Sequence, residues 1–354
     1  MSASLSAASA VAPDGDALVT ELLAEYGDLT RRHLARYLPQ GEPGGYLYDL
    51  VGDYPRRGGK MLRPSLCIAA AKAFGGRADD AVATAVSIEL LHNALLIHDD
   101  VEDGSDERRG TPTLHALHGV PLAVNAGDAL GLLSLHPLKE NVGRLGVQLA
   151  MRIFAETERM ALETTEGQAL ELGWCRDNRM DLGDEDYLTM VMKKTCWLTT
   201  IHPLRVGCLI GGRGRKPLDP LIRFGFFFGA AFQIQDDLLN LEDRPAYGKE
   251  LNGDLLEGKR TLMLIHAVRS ASATERERFG RILARPRSRR TRRDIAWMRD
   301  AIDRSGAIAY ARTVAKGLAG AALYEFEGIF GANPPSRDAL FIRRMVTWVI
   351  ERGS

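Results

Sequence analysis

Apolar residues recur every three to four positions through almost the whole chain, starting with Leu18, Leu22, Leu29 and Leu34. That spacing marks one face of an α-helix. The segments that follow are rich in Ala, Leu, Ile and Met, side chains that lose little rotamer freedom in a helix. Pro64, Gly75-Gly76, Gly104, Gly110 to Pro112, Pro121, the Gly211–Pro220 stretch and the region of Pro286 punctuate them, as residues that end or kink helices do. Alternating β-branched runs bounded by Asn-Gly or Asp-Gly turns are missing, so no sheet is expected. Residues 1–16, rich in Ala and Ser, read as a disordered tail. Residues 17–354 read as one large all-α domain.

Composition narrows the class without naming a chemistry. The 354 residues are 45% hydrophobic and 26% charged, with 46 Lys+Arg against 46 Asp+Glu. A zero formal charge gives no bulk attraction for nucleic acid. Cys67, Cys175, Cys196 and Cys208 form no C-x-x-C pair and read as reduced thiols of a cytoplasmic protein. The N-terminus has no secretory pattern, and no uncharged apolar run reaches the length of about 18 residues that a membrane-spanning helix needs. No transmembrane segment is therefore expected. The run RPRSRRTRR at 285–293 reads as a solvated loop between helices.

Two acidic clusters stand out, each closing an apolar helical run. The first ends in Asp99, Asp100 and Asp103, the second in Asp236, Asp237 and Asn240. At helical spacing Asp99 and Asp103 share a face, as do Asp236 and Asn240. Such carboxylates repel one another at the end of the helix where the dipole is already negative, so they point to bound cations. All-oxygen donors suit Mg²⁺. His98, and His115 with His118, lack a third convergent ligand, so zinc is not expected.

Cationic residues lie near both clusters. GGKMLRP (58–64) offers Lys60 and Arg63, and Arg108 and Arg109 follow the first cluster, closed by Gly110. Lys194 and Thr195 sit in KKT, and Lys249 and Lys259 follow the second cluster. Only nine of the 46 basic residues are lysine, and four of those nine stand at these positions. Compact ammonium charges among acid and metal describe a site for polyphosphate groups. His92, seven before Asp99, and Gln233, three before Asp236, are each either core side chains or part of that site.

In this order the blocks resemble the trans-isoprenyl (polyprenyl) diphosphate synthases, and among them the geranylgeranyl diphosphate synthases. GGKMLRP, ELLHNALLIHDDVEDGSDERRGTPTLH, VNAGDAL, EGQALEL, KKT and FQIQDDLLNLEDRPAYGKELNGDLLEGKRT carry the resemblance, from Leu50 to Arg269. It implies an antiparallel helix bundle around a deep apolar cavity, usually a homodimer. It also implies Mg²⁺-dependent head-to-tail condensation of isopentenyl diphosphate with an allylic diphosphate. Asp99, Asp100, Asp103, Asp236 and Asp237 would bind Mg²⁺. Arg108, Lys194, Lys249 and Lys259 would contact the allylic diphosphate, and Lys60, Arg63, His92 and Arg109 that of isopentenyl diphosphate. Thr195 and Gln233 would turn oxygen dipoles toward the developing carbocation. Ionising the allylic carbon–oxygen bond leaves a pyrophosphate whose charge metal and Lys/Arg neutralise, and the cation needs a dry cavity.

Several positions depart from the family pattern. Asn240 and Glu171 stand where aspartates are usual, Cys196-Trp197 is bulky after KKT, and Pro137 and Pro203 interrupt apparent helices. These bear on cavity shape more than on reaction type. A class I terpene cyclase would need a Ser/Thr four residues after an Asn or Asp and a Glu four further on, whereas Asn240 and Arg244 stand there. A silent partner subunit should have lost its carboxylates. For product length, the resemblance implies that the growing tail lies alongside the helix ending in Asp99; the small Ala94 five before it then leaves room toward Leu90 and Leu91, which points to twenty carbons. A longer chain or farnesyl diphosphate is the alternative, with Leu132, Leu133 or Trp197 as other candidate floors.

Overall fold

A computed structural model describes residues 15–242, 251–331 and 336–351. The expected tail lies outside the described residues as far as residue 14, and Gly15 and Asp16 already belong to the helix Gly15–Leu34. Lys249 also falls outside them.

The architecture is a helical bundle built on Ala78–Asp103, a helix of 26 residues. By length and composition it could cross a membrane, but 78% of its most apolar window is buried inside the fold, as befits a core helix apolar on all sides. Asp79 and Asp80 occupy its first turn, where the dipole favours anions. Gly104 ends it at φ 64°, a left-handed geometry that costs glycine nothing. Leu62–Ala73, Val120–Leu133 and Leu135–Leu145 pack along it. Pro137 lies in the first turn of Leu135–Leu145, where no intrahelical donor is needed, so it breaks nothing.

A second layer forms where Val147–Arg176, the run Asp184–Gly211 and Pro220–Asn240 lie side by side. The run is continuous, but its middle, Met192–Ile201, has π geometry. Pro203 follows at the junction and removes an N–H from the ladder, and the helix widens before it instead of breaking. Glycines allow the close approach. A Cβ on Gly167 would clash with the Lys194 backbone, and one on Gly229 would stand 3.0 Å from Cys196 Cα and 2.8 Å from its Sγ. The bulk expected to crowd the cavity at Cys196 is thus absorbed by Gly229. Trp197 is buried beneath the guanidiniums of Arg159, at 4.5 Å, and Arg205, at 5.9 Å.

One expectation fails at small scale. Glu107–Arg108 pairs antiparallel with Thr111–Pro112. The two linking residues, Arg109 (φ 57°) and Gly110 (φ 71°), both have positive φ, which gives a tight two-residue hairpin turn. Arg-Gly is not among the usual turn signals, and two residues per strand leave no alternation to read. Arg57 holds the hairpin by donating to the carbonyls of Arg108 (3.1 Å), Thr111 (3.2 Å) and Pro112 (2.8 Å).

Farther along the chain, Pro220–Asn240 lies against Ala307–Phe330, and Arg337–Glu351 closes onto Gly15–Leu34 and Leu62–Ala73. Asp338 accepts from the Tyr26 hydroxyl and stands 3.3 Å from Lys72 Nζ. Along Val120–Leu133 and Val147–Arg176, large apolar side chains face outward, including Leu132 (67% exposed), Val147, Met151 and Leu162.

Candidate active site

Asp99 and Asp103 lie on a half-buried stripe that continues down the helix through Leu95 and Leu91, the i, i+4 spacing of one face. Asp99 Oδ1 accepts from Lys194 Nζ at 3.1 Å and Gln168 Nε2 at 3.3 Å, and Oδ2 stands 3.6 Å from Arg108. Burial alone would raise this carboxyl, but Lys194, Lys259 and Arg108 outweigh it and hold Asp99 well below the usual range. Asp103 is 2.6 Å from Lys259 Nζ. Burial pushes it up to about 7 against the pull of that ammonium, helped by its neighbours Asp99 and Glu257. Lys194 also pairs with Glu171, and Lys259 with Glu257 at 2.8 Å. A negative helix end is thereby matched by two half-buried lysines.

The second aspartate of each pair turns away from this stripe or is tied down. Asp100 is fully buried and accepts from the Tyr54 hydroxyl and from the Arg108 guanidinium, with Nε 2.9 Å from Oδ1. Asp237 accepts from Tyr187 at 2.7 Å and from Gln233 Nε2 at 2.7 Å, and burial pushes its carboxyl up to about 7. Each therefore accepts from a tyrosine and one further donor, with lone pairs to spare. Asp236 and Asp99 remain half-buried. Glu171 bears electrostatically on both Asp103 and Asp237, so the two clusters share one end of the bundle. Gln233 Oε1 accepts from Thr195 Oγ1 at 2.9 Å, which leaves the hydroxyl's lone pairs available.

A separate group of cations forms beside His92. Arg63, in the first turn of Leu62–Ala73, stands 3.2 Å from His92 Nε2 through Nη1. Burial lowers Arg63 to about 10 and, with Arg63, Arg109 and Arg108 nearby, holds His92 well below its usual value. His92 is thus neutral, and because the guanidinium can only donate, the ring proton sits on Nδ1. Arg109 donates to Tyr54 O at 3.4 Å, and its guanidinium passes so near Gly59 that a Cβ there would be 2.9 Å away. Lys60 is exposed and lies over the Trp348 ring at 5.8 Å.

Several residues of this region escape sequence reading. Tyr54, Tyr187, Gln168, Glu171 and Glu257 all bond to the expected residues; EGQALEL holds Gln168 and Glu171 and the last block holds Glu257, but the two tyrosines carried no local signal. Asn240 Oδ1 accepts from the backbone N–H of Asp254 at 3.1 Å, so it pins the turn before Lys259. The run at 285–293 is not simply a solvated loop, because Arg287 and Arg290 reach inward. Among the described residues no group of three His, Cys, Asp or Glu converges as a ready metal cage. Hard carboxylates on facing helix ends nonetheless suit Mg²⁺, which binds through one or two carboxylates plus substrate phosphates and water.

Comparison with known proteins agrees with this geometry. Residues 45–300 match the family profile described as polyprenyl synthetase. The chain is 36% identical to a short chain isoprenyl diphosphate synthase of Methanothermobacter thermautotrophicus over 73% of its length and 77% of that protein. It is 32% identical to a geranylgeranyl pyrophosphate synthase of Geoglobus acetivorans, covering 95% of this chain and 99% of the relative. A polyprenyl synthase from Caulobacter crescentus, solved with calcium and isoprenyl diphosphate, superposes with a TM-score of 0.82 at 26% identity, covering 96% of this chain and 98% of that one.

Proposed function

Since this chain belongs to the polyprenyl synthetase family and is a prenyltransferase, we propose that it condenses isopentenyl diphosphate head-to-tail with an allylic diphosphate to make geranylgeranyl diphosphate. The observation that carries this reading is the pair of half-buried ammonium groups, Lys194 and Lys259, set against Asp99 and Asp103 beside a second cluster of Arg63, Arg109 and the neutral His92. One anion site would serve a simple hydrolase or cyclase; two suit two diphosphates.

Asp99, Asp103 and Asp236 would hold Mg²⁺, which when bound supplies the positive charge that a departing pyrophosphate needs. Asp100 orients Arg108, and Asp237 orients Gln233. Lys194, Lys259 and Arg108, together with Lys249, grip the allylic diphosphate. Lys60, Arg63, Arg109 and the Nδ1 proton of His92 hold that of isopentenyl diphosphate. Thr195 Oγ1 and Gln233 Oε1 face the nascent cation with electron-rich oxygen. No side-chain base is required, because the released pyrophosphate can accept the proton.

The tail runs down the stripe below Asp99, over Leu95 and Leu91. Both are aliphatic, which leaves room for twenty carbons. Ala94, the small residue expected from sequence to leave the tail room, is buried against Val120–Leu133, where a Cβ on Gly131 would stand 3.9 Å from its own. The outward apolar face around Leu132, Val147 and Met151 suits a second copy of the chain, hence a homodimer. Four unpaired thiols and water-borne substrates fit a cytoplasmic enzyme.

The deciding experiment is mass analysis of products formed with Mg²⁺ and isopentenyl diphosphate from dimethylallyl, geranyl and farnesyl diphosphates. A twenty-carbon diphosphate from all three is expected. Cyclised hydrocarbon formed without isopentenyl diphosphate, or a product that stops at fifteen carbons, would overturn the reading.

A further inference from the structure

The arginine-rich segment 285–293 has no part in the chemistry described so far. It joins Ala273–Leu283 to Arg292–Arg304, and its side chains divide into two groups. Arg289, Arg292 and Arg293 are exposed. Arg287 is only 18% exposed, and its two terminal nitrogens separate: Nη1 stands 3.4 Å from Glu257 Oε1 and Nη2 3.3 Å from Asp106 Oδ2. Arg290 packs so close to Gly258 that a Cβ there would be 2.7 Å from its Nη2, and it donates to Leu256 O and Leu283 O. Both arginines thus grip the turn that delivers Lys259.

Glu257 occupies a pivotal place in that turn. Its Oε2 takes Lys259 Nζ at 2.8 Å, while Oε1 accepts from Ser105 Oγ at 2.9 Å and faces Arg287. Asp103 competes for the same ammonium at 2.6 Å. Burial alone would drive the Glu257 carboxyl up, and Lys259, Ser105 and Arg287 together hold it down. An anion this buried, left with Lys259 as its sole cationic partner among the described residues, would draw the ammonium toward itself.

We propose that Arg287 is a positioning residue for Lys259: by neutralising Glu257 and tying it to the turn after the first aspartates, it keeps the Lys259 ammonium turned toward Asp103 and the allylic diphosphate. The inference rests on the diphosphate role given to Lys259 above. The fork of a guanidinium suits the task, since it meets two carboxylates from two loops at once.

The test measures binding of inorganic pyrophosphate in the presence of Mg²⁺ by calorimetry, alongside steady-state kinetics for each substrate. Arg287→Met should weaken pyrophosphate binding and raise KM for the allylic diphosphate by about five- to ten-fold, with KM for isopentenyl diphosphate nearly unchanged. Adding Glu257→Gln to that variant should recover most of the loss, because the competing anion is gone. Arg287→Lys keeps the charge and should retain more binding than Arg287→Met, and it serves if the latter folds poorly. Arg289→Met, on an exposed arginine of the same run, should behave as wild type. Equal losses for both substrates, an additive double variant, a Lys variant as weak as Met, or an Arg289→Met effect matching Arg287→Met would each overturn the assignment. A chain whose pyrophosphate binding depends on Arg287 as described yet forms no prenyl product would instead refute the proposed function and leave Arg287 in its positioning role.

Discussion

Within each Asp-Asp pair the two neighbours do different work, because consecutive residues on a helix point about 100° apart. Asp99 faces the lysines and Asp100 faces Tyr54 and Arg108. Asp99→Asn or Asp236→Asn should therefore lower turnover by about 10²-fold or more with the fold intact. Asp100→Asn should chiefly cost stability, about 3–5 kcal/mol in urea denaturation, because it leaves the Arg108 charge buried with a weaker partner. Comparable turnover losses without destabilisation of Asp100→Asn would contradict this division. A second residue-scale outcome concerns His202, which burial and Arg205 lower to about 3 and whose Nε2 is 3.1 Å from Thr157 Oγ1. The folded chain keeps this ring neutral while the unfolded chain protonates it below its usual 6.5. Its contribution to stability is complete above that value and falls away as pH drops toward 3. Melting temperature followed through that window should fall less steeply for His202→Phe than for wild type. The aspartates and lysines were legible in sequence because charge at the ends of apolar helices is costly without a purpose. Tyr54 and Tyr187 were not, since 46 and 50 residues separate them from their carboxylate partners and nothing beside either in the sequence marks the pairing.

Helical periodicity located the elements, and the resemblance implied their bundle, but neither says which face of a helix meets which neighbour. Ala94 shows the difference. Counting back from Asp99 makes it a small residue that leaves the tail room toward Leu90 and Leu91, whereas packing turns it to Gly131 and sets Leu95 and Leu91 on the half-buried stripe below the carboxylate. Leu95→Phe should shorten the product by at least one isoprene unit while condensation continues, read by mass analysis. Ala94→Phe should shorten it too, but with a stability loss of about 1–3 kcal/mol from overpacking the helix pair. An unchanged product from Leu95→Phe would show that another helix closes the cavity. The π segment and the Arg109-Gly110 hairpin were equally illegible. A π turn arises from how a helix is held by its neighbours, here by Gly167 and Gly229, and carries no signal of its own in the sequence.

The outward apolar face on Val120–Leu133 and Val147–Arg176 belongs to the molecule as a whole, since no single helix reveals whether its stripe meets its own chain or another. Leu132→Asp should leave the helical content intact and convert a dimer to a monomer in sedimentation equilibrium; a variant that sediments as wild type would move the interface elsewhere. The contact between Tyr26 and Asp338 has a different consequence. It joins residues 312 positions apart, and with it Arg337–Glu351 seals the groove between Gly15–Leu34 and Leu62–Ala73. During synthesis that groove stands bare until nearly all of the described chain has left the ribosome. Contacts so distant along the chain form late and leave apolar surface exposed while they wait. The interval before the final helix docks is therefore the moment at which this protein is most open to misassembly and to chaperones.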